Sequence, residues 1–160
     1  MSIRPRVCVV VPTRNRGSLI GESLDSVLTQ VFDGNLEVLV IDNCSTDDTY
    51  ERALEYADDP RVTVVRNERD VQFYGSLNRA LYSTTADYFV PFADDDLMEQ
   101  GNIARKVQLL EHHGAVFAHS SARRIDGEGR DIDVCPNHYT IPVSSSAGSC
   151  PSTASTCSRP

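Results

Sequence analysis

At 160 residues, 40% hydrophobic and 24% charged, the chain has the balance of one soluble domain, and a chain of that length can bury roughly 70% of its unfolded surface. A formal charge of -8 argues against nucleic acid or an anionic lipid surface as partner, because phosphate backbones reward basic faces. An acidic protein that binds phosphate usually recruits a metal. Five cysteines (Cys8, Cys44, Cys135, Cys150, Cys157) without CxxC spacing or a zinc-finger histidine pair read as reduced thiols, not as a disulfide framework or zinc centre.

The first apolar run, Val7 to Val11 between Arg6 and Pro12, is too short for a signal-peptide core or a membrane span. The expected location is the cytoplasm, with peripheral attachment at the inner membrane face as the alternative and no transmembrane segment. The run itself reads as a strand buried on both faces of a parallel sheet, ended by Pro12. Ser18 is the expected N-cap of a helix whose Ile20, Leu24, Val27, Leu28 and Val31 fall at helical spacing.

Leu36 to Ile41 repeats the pattern as a second strand, stopped by Asp42 and Asn43. Ser45 and Asp48 form a capping-box pattern before a helix with Tyr50, Ala53, Leu54 and Ala57 inward. Val62 to Val65 is the third strand, and Glu68, Arg69 and Asp70 read as a solvated loop. The next helix turns Leu77, Ala80 and Leu81 inward, and Phe73, Tyr74 and Tyr82 beside them read as core.

YFVPFADDDLM, Tyr88 to Met98, is an apolar strand ending in Asp94, Asp95 and Asp96. Pro91 removes a ladder hydrogen bond, so a local irregularity is expected there. Adjacent carboxylates repel one another unless solvent, a cation or a helix N-terminus offsets them. A fourth helix carries Ile103, Val107 and Leu110, with Gly114 as C′ residue and His112 and His113 as helix-end histidines. Ala115 to His119 reads as a strand, and ARRIDGEGRDI as a short hairpin. Residues 134–160, rich in Ser, Pro, Thr and Cys, read as a low-complexity disordered tail.

Alternating strands and helices imply an α/β fold with a mainly parallel sheet and helices on both faces. Ligands of such sheets lie beyond the strand C-termini. That rule gathers Pro12 to Arg16, Asp42 to Asp47 and Asp94 to Asp96 at one crevice. Arginines in one loop and carboxylates in another suit a nucleoside diphosphate whose oxygens share Mg²⁺ or Mn²⁺ with the protein. No GxGxxG or Walker A loop follows the first strand.

In VVVPTRNR, VLVIDNCSTDDT, NRALYSTTADYFVPFADDD and LMEQGNIARKVQLLEHHG, in that order, the sequence resembles the family 2 inverting glycosyltransferases of GT-A fold. The resemblance implies a Rossmann-like nucleotide-sugar-binding domain over 1–133, incomplete relative to the family. It implies metal-dependent transfer of a sugar from a nucleotide-diphosphate donor, typically UDP-linked, to an acceptor hydroxyl. Pro12, Thr13, Arg14, Asn15, Asp42, Asp94 and Asp95 would line the nucleotide site, with Asp42 on the base. Asp94 and Asp96 would form the DxD metal pair, with Asp95 the competing assignment.

Three positions depart from the family: Gln72 where Gly is usual, Leu77 where Arg is usual and Ala93 where Asp is usual. The catalytic base is unassigned, since none of Asp126, Glu128, Asp131 and Asp133 sits in the family's base motif. The composition change past Asp133 raises a truncated or frame-shifted reading. A catalytically incomplete nucleotide-sugar-binding module is therefore the second expectation, and a sugar nucleotidyltransferase, which lacks its Gly-rich loop here, the third. The donor sugar, the acceptor and the oligomeric state stay open.

Overall fold

The early valines become the innermost described strand of a parallel sheet. In the computed structural model, which describes residues 4–127 and 129–135, β1 (Arg6–Thr13) pairs with β2 (Asn35–Asp42) and β4 (Tyr88–Pro91), and β3 (Val62–Arg66) flanks β2. The order is β3-β2-β1-β4. Helices α1 (Ile20–Leu28), α2 (Thr49–Leu54), α3 (Gln72–Ser83) and α4 (Asn102–His113) alternate with the strands. Residues to Gly114 form one compact unit, and the chain from Ala115 belongs to a second.

The pleat sorts β1 between two cores. Val7, Val9 and Val11 pack with Ile20, Leu24 and Val27 of α1, Ala53 of α2, and Ile103 and Val107 of α4. Cys8 and Val10 pack with Ile41 and with Ala80 of α3. Helices thus cover both faces, which is why β1 reads as a continuous apolar run.

Several local expectations give way to tertiary context. Pro12 does not end β1 but pairs in register with Ile41. The Val10 carbonyl accepts from Phe92 on the β4 side, and the Thr13 carbonyl accepts from Asn43 on the β2 side. Pro12 therefore turns its missing N–H toward the β4 side, beyond the end of β4. Pro91 closes β4 without a register break, tolerated because β4 is an edge of the described sheet.

Ser18 does not cap α1; the N–H groups of Leu19 and Ile20 instead turn onto the Arg16 carbonyl, 2.9 and 3.0 Å away. Val31 lies past the helix end and is exposed. The Ser45–Asp48 box does not form. Ser45 Oγ accepts from Asn15 N–H at 3.0 Å, and the Thr49 N–H donates to Asp47 Oδ1 at 3.1 Å.

The short α2 buries Thr49 and Ala53 and leaves Leu54 and Ala57 exposed. On α3 the buried residues are Ser76 and Ala80; Leu77 is half-buried, while Leu81, Phe73, Tyr74 and Tyr82 are exposed, not core. Both helices meet the sheet through small residues, so their larger apolar groups fall outside the contact.

Beyond Gly114, which ends α4 in the left-handed region at φ 59°, residues 115–121 form no strand, and Val116 and Phe117 are exposed. An apolar run needs a partner ladder, and none of the described strands supplies one. The expected hairpin forms as β5 (Ala122–Ile125) against β6 (Asp131–Cys135), antiparallel, with an irregularity between Arg124 and Ile125. Val134 and Cys135, read as the start of the low-complexity segment, belong to β6 instead, because they pair with Arg123 and Ala122; its remainder, 136–160, lies outside the described residues. Among those described, no helix is long and apolar enough to cross a membrane.

One polar row on α1 positions the acidic turn. Ser23 Oγ donates to the Ala93 carbonyl at 3.2 Å, and Ser26 Oγ accepts from Met98 N–H at 2.9 Å. Just past the helix, Gln30 Nε2 donates to the Met98 and Glu99 carbonyls at 3.2 and 3.0 Å. Spacings of three and seven residues place all three on one side of the helix. Across the same helix, Tyr56 Oη lies 3.1 Å from both the Gly21 carbonyl and Asp25 Oδ1. Burial, then Asp25, pushes its phenol up to about 12.

Ser26→Ala should cost about 1 kcal/mol and strip hydrogen-exchange protection from the Met98 amide while β1 amides stay protected. Gln30→Leu, which takes a donor from the Met98 and Glu99 carbonyls and leaves the latter to the Asn102 N–H, should cost about 1–3 kcal/mol in urea unfolding. For Tyr56→Phe the expected loss at neutral pH is about 1 kcal/mol. Between pH 10 and about 12 the unfolded tyrosine ionises before the folded one, so wild-type stability falls as pH rises through that window and the variant's urea midpoint falls less steeply.

Candidate functional site

Parallel strands deliver their following loops to one sheet edge, and those loops are laced together. Asn15, left-handed at φ 54°, accepts from Thr46 N–H at 2.8 Å through Oδ1. The Arg16 N–H donates to Thr49 Oγ1 at 2.7 Å, and the Gly17 N–H to Asp47 Oδ2 at 3.3 Å. Cys44 is also left-handed, at φ 61°, and its thiol donates to the Asn67 carbonyl at 3.0 Å, so it is not incidental to the loop. Gln72, at φ 60°, occupies backbone that glycine adopts more readily, the physical reason a glycine suits that position.

Asp42 ends β2 fully buried. Its carboxylate accepts from Ser45 N–H at 3.2 and 3.3 Å and pairs with Arg66 Nε at 2.9 Å. Arg66 also donates to the Ser45 carbonyl at 2.6 Å and lies 4.9 Å above the Tyr50 ring. Sequence reasoning passed over Arg66, yet it is the register partner of Asp42 across β2 and β3; aligning those strands would have found it.

Arg14, expected on a phosphate, forms an ion pair with Asp70. Asp70 also accepts from Asn43 Nδ2 and from Gln72 N–H, each at 2.8 Å. The run at 68–70 is thus a junction of loops and not merely solvated. Arg66, Asn67, Arg69 and Arg79 line an open depression of about 570 Å³ beside it, a basic lining that no local motif announces.

The acidic residues do not begin a helix: Asp94 and Asp95 form a turn, and α4 starts only after Gly101, itself left-handed at φ 75°. Asp94 is 14% exposed, Asp95 46%. Arg16 stands 3.8 Å from each, through Nε and one terminal nitrogen. Burial raises the Asp94 carboxyl, opposed in part by the nearby Thr13 hydroxyl, and Asp95 raises it further. Asp96 is raised by burial and then by the charges of Asp95 and Asp94.

Thr13 Oγ1 is buried without a well-formed hydrogen bond, and Pro12 is buried beneath it. A turn whose charge one guanidinium only partly offsets fits a divalent cation. Among the described residues no three His, Cys, Asp or Glu side chains gather around one point. The protein can therefore supply a carboxylate or two, the donor set Mg²⁺ and Mn²⁺ accept when phosphate oxygens and water complete the sphere.

Among the described residues, the carboxylates of the hairpin are ion-paired. Asp126, Asp131 and Asp133 pair with Arg130, Arg123 and Arg124, and Arg124 holds the Asp133 carboxyl below its usual range. Glu128 lies outside the described residues. His112 and His113 occupy the last turn of α4, as expected. Among the described residues, Cys8 and Cys44 are free thiols.

The comparisons agree with this geometry. The glycosyl transferase family 2 profile matches residues 8–149. The protein assigned as glycosyltransferase EpsE of Bacillus subtilis is 31% identical over 115 residues, covering 71% of this chain and 41% of EpsE. A Haemophilus influenzae glycosyltransferase is 32% identical, covering 73% and 36%.

Among solved structures, the mannosyltransferase PcManGT from Pyrobaculum calidifontis, in complex with GDP-Man and Mn²⁺, superposes with a TM-score of 0.64 at 30% identity, over 77% of this chain and 37% of that one. S. aureus TarS 1-349 gives 0.61 at 26% identity, over 68% and 33%. The chain thus spans about two fifths or less of these relatives. With a parallel sheet covered on both faces, carboxylates at the C-terminal ends of its strands and a family match over most of its length, this chain belongs to glycosyl transferase family 2.

Proposed function

We propose that residues 1–133 form the donor-binding part of a metal-dependent, inverting glycosyltransferase that uses a UDP-sugar. The observation that carries this reading is the meeting, at one sheet edge, of the buried Asp42 and an acidic turn with too little countercharge. Support also comes from PcManGT, in complex with GDP-Man and Mn²⁺, and from TarS, in complex with UDP or UDP-GlcNAc.

Asp42, held by Ser45 N–H and Arg66, has acceptor capacity for an N–H at the edge of uracil. Thr13 and Asn15 flank that position from the first loop. Asp94 and Asp96 would hold Mn²⁺ or Mg²⁺, with Asp95 nearest the nucleotide. Such a cation would supply positive charge against the diphosphate of the leaving group, with Asp94 and Asp96 as the residues that would hold it. Arg66, itself half-exposed, covers the buried Asp42 and would give way to a base that pairs with it, and the Ser23, Ser26 and Gln30 row keeps the acidic turn at one height above the sheet.

A second reading is favoured by the ion-paired state of the hairpin carboxylates: the chain binds donor without transferring sugar. Titrating UDP and UDP-sugars with and without Mn²⁺, and assaying transfer and donor hydrolysis, separates the two; metal-dependent binding without turnover selects the second.

Asp96→Ala is expected to abolish the Mn²⁺ dependence of UDP affinity in calorimetry, and a retained dependence would sink the metal assignment. Asp42→Ala should weaken UDP binding about tenfold or more even without metal, the loss of a charged hydrogen bond. Equal affinity would remove Asp42 from the base pocket.

A further inference from the structure

The arginines at this sheet edge are not equivalent. Arg14 is committed to Asp70, and Arg66 is held by Asp42, the Ser45 carbonyl and the Tyr50 ring. Arg16 is held loosely: its two ion pairs are 3.8 Å long, beyond hydrogen-bond reach, and its side chain is 48% exposed. Its backbone, by contrast, is fixed. The Arg16 N–H donates to Thr49 Oγ1 at 2.7 Å, and its carbonyl receives the Leu19 and Ile20 N–H groups. A guanidinium without a close hydrogen-bond partner thus sits on an anchored Cα beside the acidic turn.

We infer that Arg16 is the resident counter-ion of the acidic turn, one that a divalent cation must displace and that then turns to the donor's diphosphate. The inference rests on reading this crevice as a nucleotide-diphosphate site. A guanidinium bridging Asp94 and Asp95 offsets one unit of a triple charge and stands against a carboxylate the incoming ion needs, so the two cations compete. Once freed, the same planar fork matches phosphate oxygens bidentately, and the fixed backbone keeps it within the crevice. Metal loading and diphosphate capture would then be coupled through one side chain.

The test uses the full chain, with Mn²⁺ alone followed by electron paramagnetic resonance and UDP with saturating Mn²⁺ followed by calorimetry. Arg16→Gln should tighten Mn²⁺ binding to the ligand-free chain about two- to fivefold, the scale of a partly exposed ion pair. It should also weaken UDP binding in the presence of Mn²⁺ about tenfold. Arg16→Lys, which keeps the charge, should leave Mn²⁺ affinity near wild type, and thermal unfolding checks that both variants fold.

Opposite signs for the two ligands are the signature, because a merely structural role lowers both affinities. Unchanged or weaker Mn²⁺ binding in Arg16→Gln, with UDP still bound by wild type in Mn²⁺, overturns the inference and leaves the donor-site reading standing. If neither wild type nor variant binds Mn²⁺ or UDP, both are overturned.

Discussion

Three carboxylates side by side in a short segment repel one another, and the protein keeps them in place by fastening the backbone on either side to a single helix. Ser23 takes the Ala93 carbonyl, Ser26 the Met98 amide, and Gln30 the Met98 and Glu99 carbonyls. Met98 is buried in the same core as Val9 and Leu24. The position of the acidic turn thus follows from the packing of α1 on the sheet: hydrophobic burial sets the height of the helix, and its polar row transmits that height to the turn.

The same economy appears in the other loops. Three arginines at this edge each meet a carboxylate from another segment: Arg14 with Asp70, Arg16 with Asp94 and Asp95, Arg66 with Asp42. These pairs compensate buried or half-buried charge that would otherwise be costly, and they tie the loops that follow the strands to one another. Their tightness is graded. Asp42–Arg66 is short and its carboxylate fully buried, whereas the Arg16 pairs are long and one of their carboxylates, Asp95, is open to solvent.

The departures from the family pattern take physical form in this setting. Ala93 supplies a carbonyl to Ser23 and no charge. Leu77 packs against the small core around Val10 and Ala80. Gln72 adopts a left-handed backbone that would be easier for glycine. Each of the three is compatible with the fold.

The alternation of strands and helices and the parallel sense of the sheet were legible in the sequence, because runs such as Val7 to Val11 and Leu36 to Ile41 can be that apolar only when buried on both faces; the order β3-β2-β1-β4 was not. The convergence of Thr13, Asp42 and Asp94 followed from topology alone. Helix faces were less legible. Leu54, Leu81 and Tyr82 have the spacing of core residues, yet α2 and α3 approach the sheet through Ala53, Ser76 and Ala80, and how closely a helix approaches depends on side chains elsewhere. The partners of the charged residues were hidden for a similar reason: Arg66 meets Asp42 through strand register, Arg14 meets Asp70 across 56 residues, and Ser26 meets Met98 across 72. By itself the sequence determined the periodicities that build the sheet and bring its acidic turn to the ligand edge. Only the tertiary structure decided which charges neutralise one another there, because pairing depends on distances that periodicity does not encode.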